Sequence, residues 1–240
     1  MDQLRPHEEK ISVIIPAYNE AVTIGPIIRA ARQSPLVGEV IVVDDGSDDE
    51  TANVAARSGA SVVRNSANTG KAAAMDRGVA RARYDVLCFL DADILSFTPR
   101  MLERIVLPVL RGTCGMFVGI RGRKLYFLNR FLHFFPIVGG ERALRREIWQ
   151  LVPDAHKKKF QIEVALNYFC KKHGKRMGFA VIPRLSQVIK EKKWGLAYGL
   201  WRRLHMFLDL GRIAVSLYVF RSLRTLLRAP ASPTTVKKVV

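Results

Sequence analysis

The first hundred residues alternate between short, nearly unbroken apolar runs and longer stretches in which apolar residues recur at helical spacing. Ser12 to Ile15 is closed by Pro16, and Val40 to Val43 is closed by Asp44-Asp45-Gly46-Ser47. Runs of that length without polar alternation predict strands buried on both faces, as in a parallel sheet. Between them, Val22 to Gln33 has helical character, with Pro26 where a first turn tolerates it. Thr51 to Ser58 predicts a second helix, Ser61 to Arg64 a third strand, Lys71 to Arg83 a third helix and Val86 to Leu90 a fourth strand. Strand and helix alternate at the spacing of βαβ units, which requires parallel strands joined by right-handed crossovers.

After Pro99 the pattern changes. A helix is expected from Arg100 to Leu110 and a strand from Gly115 to Ile120, followed by a basic and aromatic stretch from Arg121 to Pro136. Gly139-Gly140-Glu141-Arg142-Ala143-Leu144-Arg145-Arg146 leads into another helix, and Phe160 to His173 predicts a strong one that Gly174 terminates. Val181 to Pro183 and Ser186 to Ile189 read as edge strands.

In an open α/β sheet, ligands bind beyond the carboxyl ends of the strands. The polar clusters fall there: Tyr18-Asn19-Glu20, Asp44 to Asp48, Asn65 to Lys71, and Asp91-Ala92-Asp93 follow strands one to four in order. Turn chemistry alone does not place acidic or polar loops at four successive strand ends. They are expected to line one crevice.

Composition adds an asymmetry. Residues 1–120 carry 13 basic and 15 acidic side chains, net −2, whereas residues 121–240 carry 26 and 6, net +20. A half so basic suggests a polyanionic partner: nucleic acid, anionic lipid headgroups or a phosphorylated substrate. Cys88, Cys114 and Cys170 stand singly in apolar surroundings, which predicts buried thiols and suits a reducing cytosol. Met1 to Lys10 has no apolar core of a signal peptide, and nothing in the chain indicates export. No window supplies the roughly 18 consecutive apolar residues of a spanning helix. Arginines 202, 203, 212, 221, 224 and 228 are interleaved with Trp201, Phe207, Tyr218 and Leu226, which reads as helix lying in a membrane interface or, alternatively, packed on the domain.

The chemistry concentrates at Asp91 and Asp93. Two anions with one small residue between them repel each other, and a bound cation relieves that repulsion. An isolated Asp-x-Asp is more often a turn whose carboxylates accept backbone N–H bonds; the three neighbouring polar loops favour the metal. Of Asp44 and Asp45, one can accept hydrogen bonds from a base imide or ribose hydroxyl while the other caps the helix beginning near Asp48 or Thr51. Asn68-Thr69-Gly70-Lys71 sets a flexible glycine and an ammonium at a helix start, where a diphosphate could be met. Neither GxxxxGK[ST] nor GxGxxG is present, which weakens P-loop and dinucleotide readings.

Taken together, Val13-Ile14-Ile15-Pro16-Ala17-Tyr18-Asn19-Glu20, Val42-Val43-Asp44-Asp45-Gly46-Ser47-Asp48-Asp49, Asn68 to Lys71 and Asp91-Ala92-Asp93 resemble the ordered signature of family 2 glycosyltransferases. The resemblance is dense over residues 11–99, and its nearest flavour is the polyprenyl-phosphate sugar synthases and small envelope glycosyltransferases. It implies the GT-A fold, a Rossmann-like, mostly parallel sheet flanked by helices, here with C-terminal amphipathic helices. It implies that Pro16, Tyr18, Glu20, Asp44 and Asp45 serve the nucleoside, that Lys71 lies near the diphosphate, and that Asp91 and Asp93 hold Mg²⁺ or Mn²⁺. Lipid-phosphate mannose synthases usually carry a further polar ligand two residues past that motif, where this chain has Leu95.

The resemblance makes Gly139 to Arg146 an acceptor-side loop in which Arg142 approaches phosphate; the alternative is a solvated basic helix start. Glu163 is a candidate base for a hydroxyl acceptor or an ion-pair partner of Arg142 or Arg145, and a phosphate acceptor would need no base. Lys190, Lys192 and Lys193 are candidate phosphate or membrane contacts. The expected organisation is a catalytic domain over 1–194, with a donor half at 11–99 and an acceptor half at 100–194, then interfacial helices over 195–228 and a tail over 229–240. The expected partners are a nucleoside-diphosphate sugar, a lipid-linked or otherwise membrane-held acceptor and the anionic inner face of the cytoplasmic membrane. Rival readings are a soluble enzyme acting on a small phosphorylated acceptor, as glucosyl-phosphoglycerate synthases do, a nucleotidyltransferase, and a nucleic-acid-binding protein. The nucleotidyltransferase lacks its glycine-rich first loop here, and the strand-end carboxylates would repel nucleic-acid phosphates.

Overall fold

A computed structural model describes residues 10–121, 139–157, 161–183 and 185–187. The expectations for Lys190, Lys192, Lys193, the interfacial helices and the tail fall outside these residues.

The chain runs β1 (Ile11–Ala17), α1 (Ile24–Arg32), β2 (Val37–Asp44), α2 (Thr51–Arg57), β3 (Ser61–Arg64), α3 (Lys71–Arg81), β4 (Val86–Phe89), β5 (Ile94–Leu95), α4 (Pro99–Leu110) and β6 (Met116–Arg121). It continues as β7 (Arg142–Arg145), α5 (Arg146–Gln150), a 3₁₀ turn at Asp154–His156, α6 (Gln161–Lys172), β8 (Met177–Ile182) and β9 (Ser186–Gln187). Seven strands form one sheet in the order β3-β2-β1-β4-β7-β6-β8, while β5 and β9 pair separately. Strands β1 to β4 are parallel; β7 is antiparallel to both β4 and β6, and β8 is parallel to β6. Every strand of the sheet except β7 therefore points the same way.

Alternate residues of each strand feed opposite layers. Ile11, Val13 and Ile15 join Val40, Val42, Val86 and Cys88 in a core covered by Ile24, Ile27 and Ile28 of α1 and Leu102, Ile105 and Val106 of α4. Ile14, Leu87 and Phe89 face the other way, against Ala72 and Met75 of α3, Trp149 of α5 and Ile162, Leu166 and Phe169 of α6. Burial on both faces explains why the strands lack polar alternation. The one hydroxyl inside β1 is satisfied: Ser12 donates to Glu39 Oε1 at 2.6 Å and accepts from the Tyr84 amide at 3.1 Å.

Helix α3 approaches β1 closely because residue 78 is glycine; a Cβ there would stand 2.4 Å from Ile14 Cγ2. The Arg146 guanidinium holds its end, donating to Val79 O in the last turn and to Ala82 O and Tyr84 O beyond it at 2.7–2.9 Å. The three cysteines are buried free thiols.

The alternative reading of Arg142 to Arg145 as a solvated basic helix start is set aside: it is a strand inside the sheet, and the helix begins only at Arg146. Ser186–Gln187 is a strand, as expected of the run from Ser186, and pairs outside the main sheet with Ile94–Leu95.

Candidate active site

The carboxyl ends of β1, β2, β3, β4, β6 and β8 share one edge of the sheet, and the reversed strand β7 begins there. Everything that follows the first four strands, together with Arg121 at the end of β6 and Gly139 to Glu141 ahead of β7, is thus brought to one side.

The first two loops are stitched to each other. The Asn19 amide donates to Ser47 Oγ at 3.0 Å, the Asp48 amide to Asn19 Oδ1 at 2.9 Å and the Glu20 amide to Thr51 Oγ1 at 2.8 Å. Glu20 accepts from Thr23 Oγ1 at its own helix start, and Pro16 lies within β1 opposite Val43. Of the expected nucleoside contacts, Tyr18 is the one turned outward, 43% exposed.

Asp44 and Asp45 are bound to protein more fully than expected. Asp44 is buried, accepts from the Ser47 amide at 3.0 Å and lies 3.3 Å from Arg64 Nε, so it builds the turn; the first turn of α2 is served by Asp49, which accepts from the Thr51 amide at 2.9 Å. Asp45 Oδ1 accepts from Asn65 Nδ2, the Thr69 amide and Thr69 Oγ1 at 2.6–2.9 Å, and Oδ2 from the Gly70 amide at 2.7 Å. Burial opposes its ionisation, but these donors outweigh it and hold its pKa below the usual carboxylate value. Asp45 therefore locks the loop that ends at Gly70, whose φ of +95° suits glycine, and that presents Lys71.

Lys71 opens α3 and reaches across to β4. Its Nζ lies 2.7 Å from Asp91 Oδ1 and 3.0 Å from Glu163 Oε1, while Arg121 Nη2 lies 2.7 Å from Asp91 Oδ2 and also donates to Glu141 Oε1. Glu163 Oε2 faces Arg142 Nη2 at 3.8 Å. Three carboxylates and three cations thus form one chain of ion pairs. Burial alone would lower the pKa of Lys71 and raise that of Asp91, yet mutual attraction reverses both shifts and keeps both groups charged. Glu141 differs: burial first, then the nearby Asp91, push it up to about 7 despite Arg121.

Arg142 is fully buried and gives its guanidinium to Gly139 O at 2.6 and 3.1 Å and to Glu163 O at 3.3 Å, so it ties the β7 entry to α6. Arg121 and Glu141 were not singled out from sequence; an arginine immediately after a predicted strand on the ligand-binding edge was the available signal. Gly139 and Gly140 are required sterically. A Cβ at Gly140 would stand 2.1 Å from Asp91 Oδ2, and one at Gly139 2.9 Å from Gly119 O.

Asp91 and Asp93 are hard oxygen donors of the type a small cation takes. Asp91 has one positive group on each oxygen, and Asp93, two residues on, is buried at 6% exposure. Among the described residues no group of three or more His, Cys, Asp or Glu forms a complete cage. Mg²⁺ and Mn²⁺ commonly take one or two carboxylates and complete their shell with water and substrate phosphates.

Residues 12–167 match the family model for glycosyl transferase family 2, and the chain belongs to that family. The glucosyl-3-phosphoglycerate synthase of Mycolicibacterium smegmatis is 34% identical over 113 residues, which is 43% of this chain and 37% of that protein. The 4,4'-diaponeurosporenoate glycosyltransferase of Staphylococcus haemolyticus is 38% identical over 104 residues, 41% of this chain and 28% of that protein. The chain thus matches well under half the length of these curated relatives. The crystal structure of glucosyl-3-phosphoglycerate synthase from Mycobacterium tuberculosis with Mn²⁺, UDP-glucose and phosphoglyceric acid superposes with a TM-score of 0.65 at 25% identity, over 76% of this chain and 72% of that one. The mostly parallel sheet is that of the GT-A fold.

Proposed function

We propose that this protein transfers a sugar from a nucleoside-diphosphate sugar to an anionic, membrane-held acceptor, with Asp91 and Asp93 holding Mg²⁺ or Mn²⁺. The observation that carries the reading is the convergence of Lys71, Asp91 and Arg121 at the ligand-binding edge. The bound cation would neutralise charge on the departing nucleoside diphosphate. Lys71, fixed by the Asp45 loop at the start of α3, is positioned to meet a phosphate, and Tyr18 offers an exposed ring beside the nucleoside side of the crevice. Support for the donor comes from family membership and from the Mycobacterium tuberculosis relative solved with Mn²⁺ and UDP-glucose.

The net +20 of residues 121–240 favours an acceptor that is an anion, and the arginine- and aromatic-rich stretch 195–228 favours one held at the inner face of the cytoplasmic membrane. Among the described residues no helix is long and apolar enough to cross a membrane. A second reading, a small phosphorylated acceptor, is favoured by the relatives named as glucosyl-3-phosphoglycerate synthases.

Thermal shift of the full chain against UDP, GDP, CDP and dTDP with Mn²⁺ tests the donor assignment. The true donor base is expected to stabilise by about 2–3 kcal/mol near a hundredfold excess over Kd. If no nucleotide gives a Mn²⁺-dependent shift, the assignment fails.

A further inference from the structure

We propose that Lys71 and Arg121 are built-in competitors of the divalent cation at Asp91, and that Glu163 and Glu141 are the anions to which they retreat when Asp91 is taken. The inference rests on Asp91 being a metal ligand, as argued above, and assigns a role to Arg121 and Glu141 beyond that reading.

Each oxygen of Asp91 carries one cation at 2.7 Å, and each of those cations already touches a second carboxylate: Lys71 touches Glu163, and Arg121 touches Glu141. Asp91 is the one anion they share. The arrangement is layered as well. The side chains of Asp91, Lys71 and Arg121 keep 20%, 23% and 19% of their surface open, whereas Glu163 and Glu141 lie behind them at 6% and 0%. A cation arriving from solvent therefore meets a carboxylate that is already neutralised, with replacement anions held in reserve beneath it.

Hydrogen-bonding capacity points the same way. Arg121 Nε and Glu141 Oε2 are both buried and have no hydrogen-bond partner among the described residues. The Arg121–Glu141 contact thus uses one arm of each group. An arginine and a carboxylate can pair through two parallel bonds, so Arg121 can compensate for the loss of Asp91 by completing the fork with Glu141. No buried charge is stranded by the exchange, which matters because an unpaired one is strongly destabilising. The affinity of Asp91 for a divalent cation is then reduced by the fraction of molecules in which the clamp is closed.

The test is a Mn²⁺ titration of the full chain without nucleotide, read by the electron paramagnetic resonance of free Mn²⁺, with thermal melting as the check on folding. Arg121→Met is expected to tighten Mn²⁺ binding about tenfold, within the usual 5- to 150-fold range of coupled sites, bringing it into range even where the wild type binds too weakly to measure. Glu141→Gln is expected to weaken it, because Arg121 then has only Asp91. In the Arg121→Met background the Glu141→Gln effect is expected to disappear. Arg121→Gln serves in the same way if the methionine variant does not fold. Arg121 variants that fold and bind Mn²⁺ no tighter than wild type overturn the proposal, as does a Glu141→Gln effect that persists without Arg121. If Asp91→Asn leaves wild-type Mn²⁺ binding or the Arg121→Met gain intact, the metal assignment itself is at fault.

Discussion

The ammonium of Lys71 lies 2.7 Å from Oδ1 of Asp91, joining the first turn of α3 to the loop beyond β4. The two residues are set by different devices. Asp91 follows a strand buried on both faces, and Lys71 follows a loop fastened by four hydrogen bonds to Asp45. Several substitutions separate positioning from chemistry.

Asp93→Asn keeps the shape of the side chain and removes its charge. Turnover is expected to fall on the order of 100-fold or more, the scale of a lost electrostatic stabiliser, in a protein that still melts cooperatively. Transfer assays run with and without EDTA check this; wild-type activity in EDTA would contradict a metal role.

Gly140→Ala places a methyl where the Asp91 carboxylate now lies, 2.1 Å from Oδ2. The carboxylate must move, and a displacement of that order is expected to cost roughly 10²-fold in kcat. Transfer assays beside a melting curve check this, since the three atoms nearest the added methyl all belong to the Asp91 side chain.

Asp45→Asn weakens the bonds that fasten residues 65–70, at an expected cost of about 1–3 kcal/mol in denaturant unfolding. Because the folded-state pKa of Asp45 lies below its ordinary value, its stabilisation is fully present above the unfolded carboxylate pKa of about 4 and is lost as pH falls through the folded value. The wild type is therefore expected to lose more stability than the variant between neutral pH and about pH 2.

Glu163 touches Lys71 and Arg142, and its second role depends on the acceptor. With a phosphate acceptor Glu163→Gln is expected to lower kcat by less than about tenfold, and with a hydroxyl acceptor by about 10²-fold, the ordinary scale of general-base catalysis. Pairing kcat with a melting curve separates both from simple destabilisation.

Truncation after Trp194 removes the arginine-rich stretch and leaves the donor residues in place. The full chain is expected to float with anionic liposomes, less so in 0.5 M NaCl, and the truncated chain is expected to stay behind while still binding nucleotide and Mn²⁺. Equal flotation of both, or of neither, would move the acceptor assignment to the small phosphorylated class.

The donor side was legible because its signals are local. Ser12 to Ile15 and Val40 to Val43 are each a short run closed by proline or an acidic turn and lie inside the longer strands Ile11–Ala17 and Val37–Asp44, and β3 has its expected limits. Strand β7 was not legible. Arg142-Ala143-Leu144-Arg145 has two apolar residues between two arginines, and Arg142 can be buried only because Gly139 O and Glu163 receive its guanidinium, a partnership the tertiary fold creates. The same distance in sequence hid Arg121 and Glu141, whose meeting depends on the pairing of β6 with β7. It also hid the donors to Asp45, which lie 20 to 25 residues downstream.

The single reversed strand brings two distant pieces of chain to one carboxylate. Because β6 ends and β7 begins on the same edge, Arg121 at the end of one and Gly140 ahead of the other both meet Asp91, the first by a 2.7 Å ion pair and the second by leaving room for its oxygens.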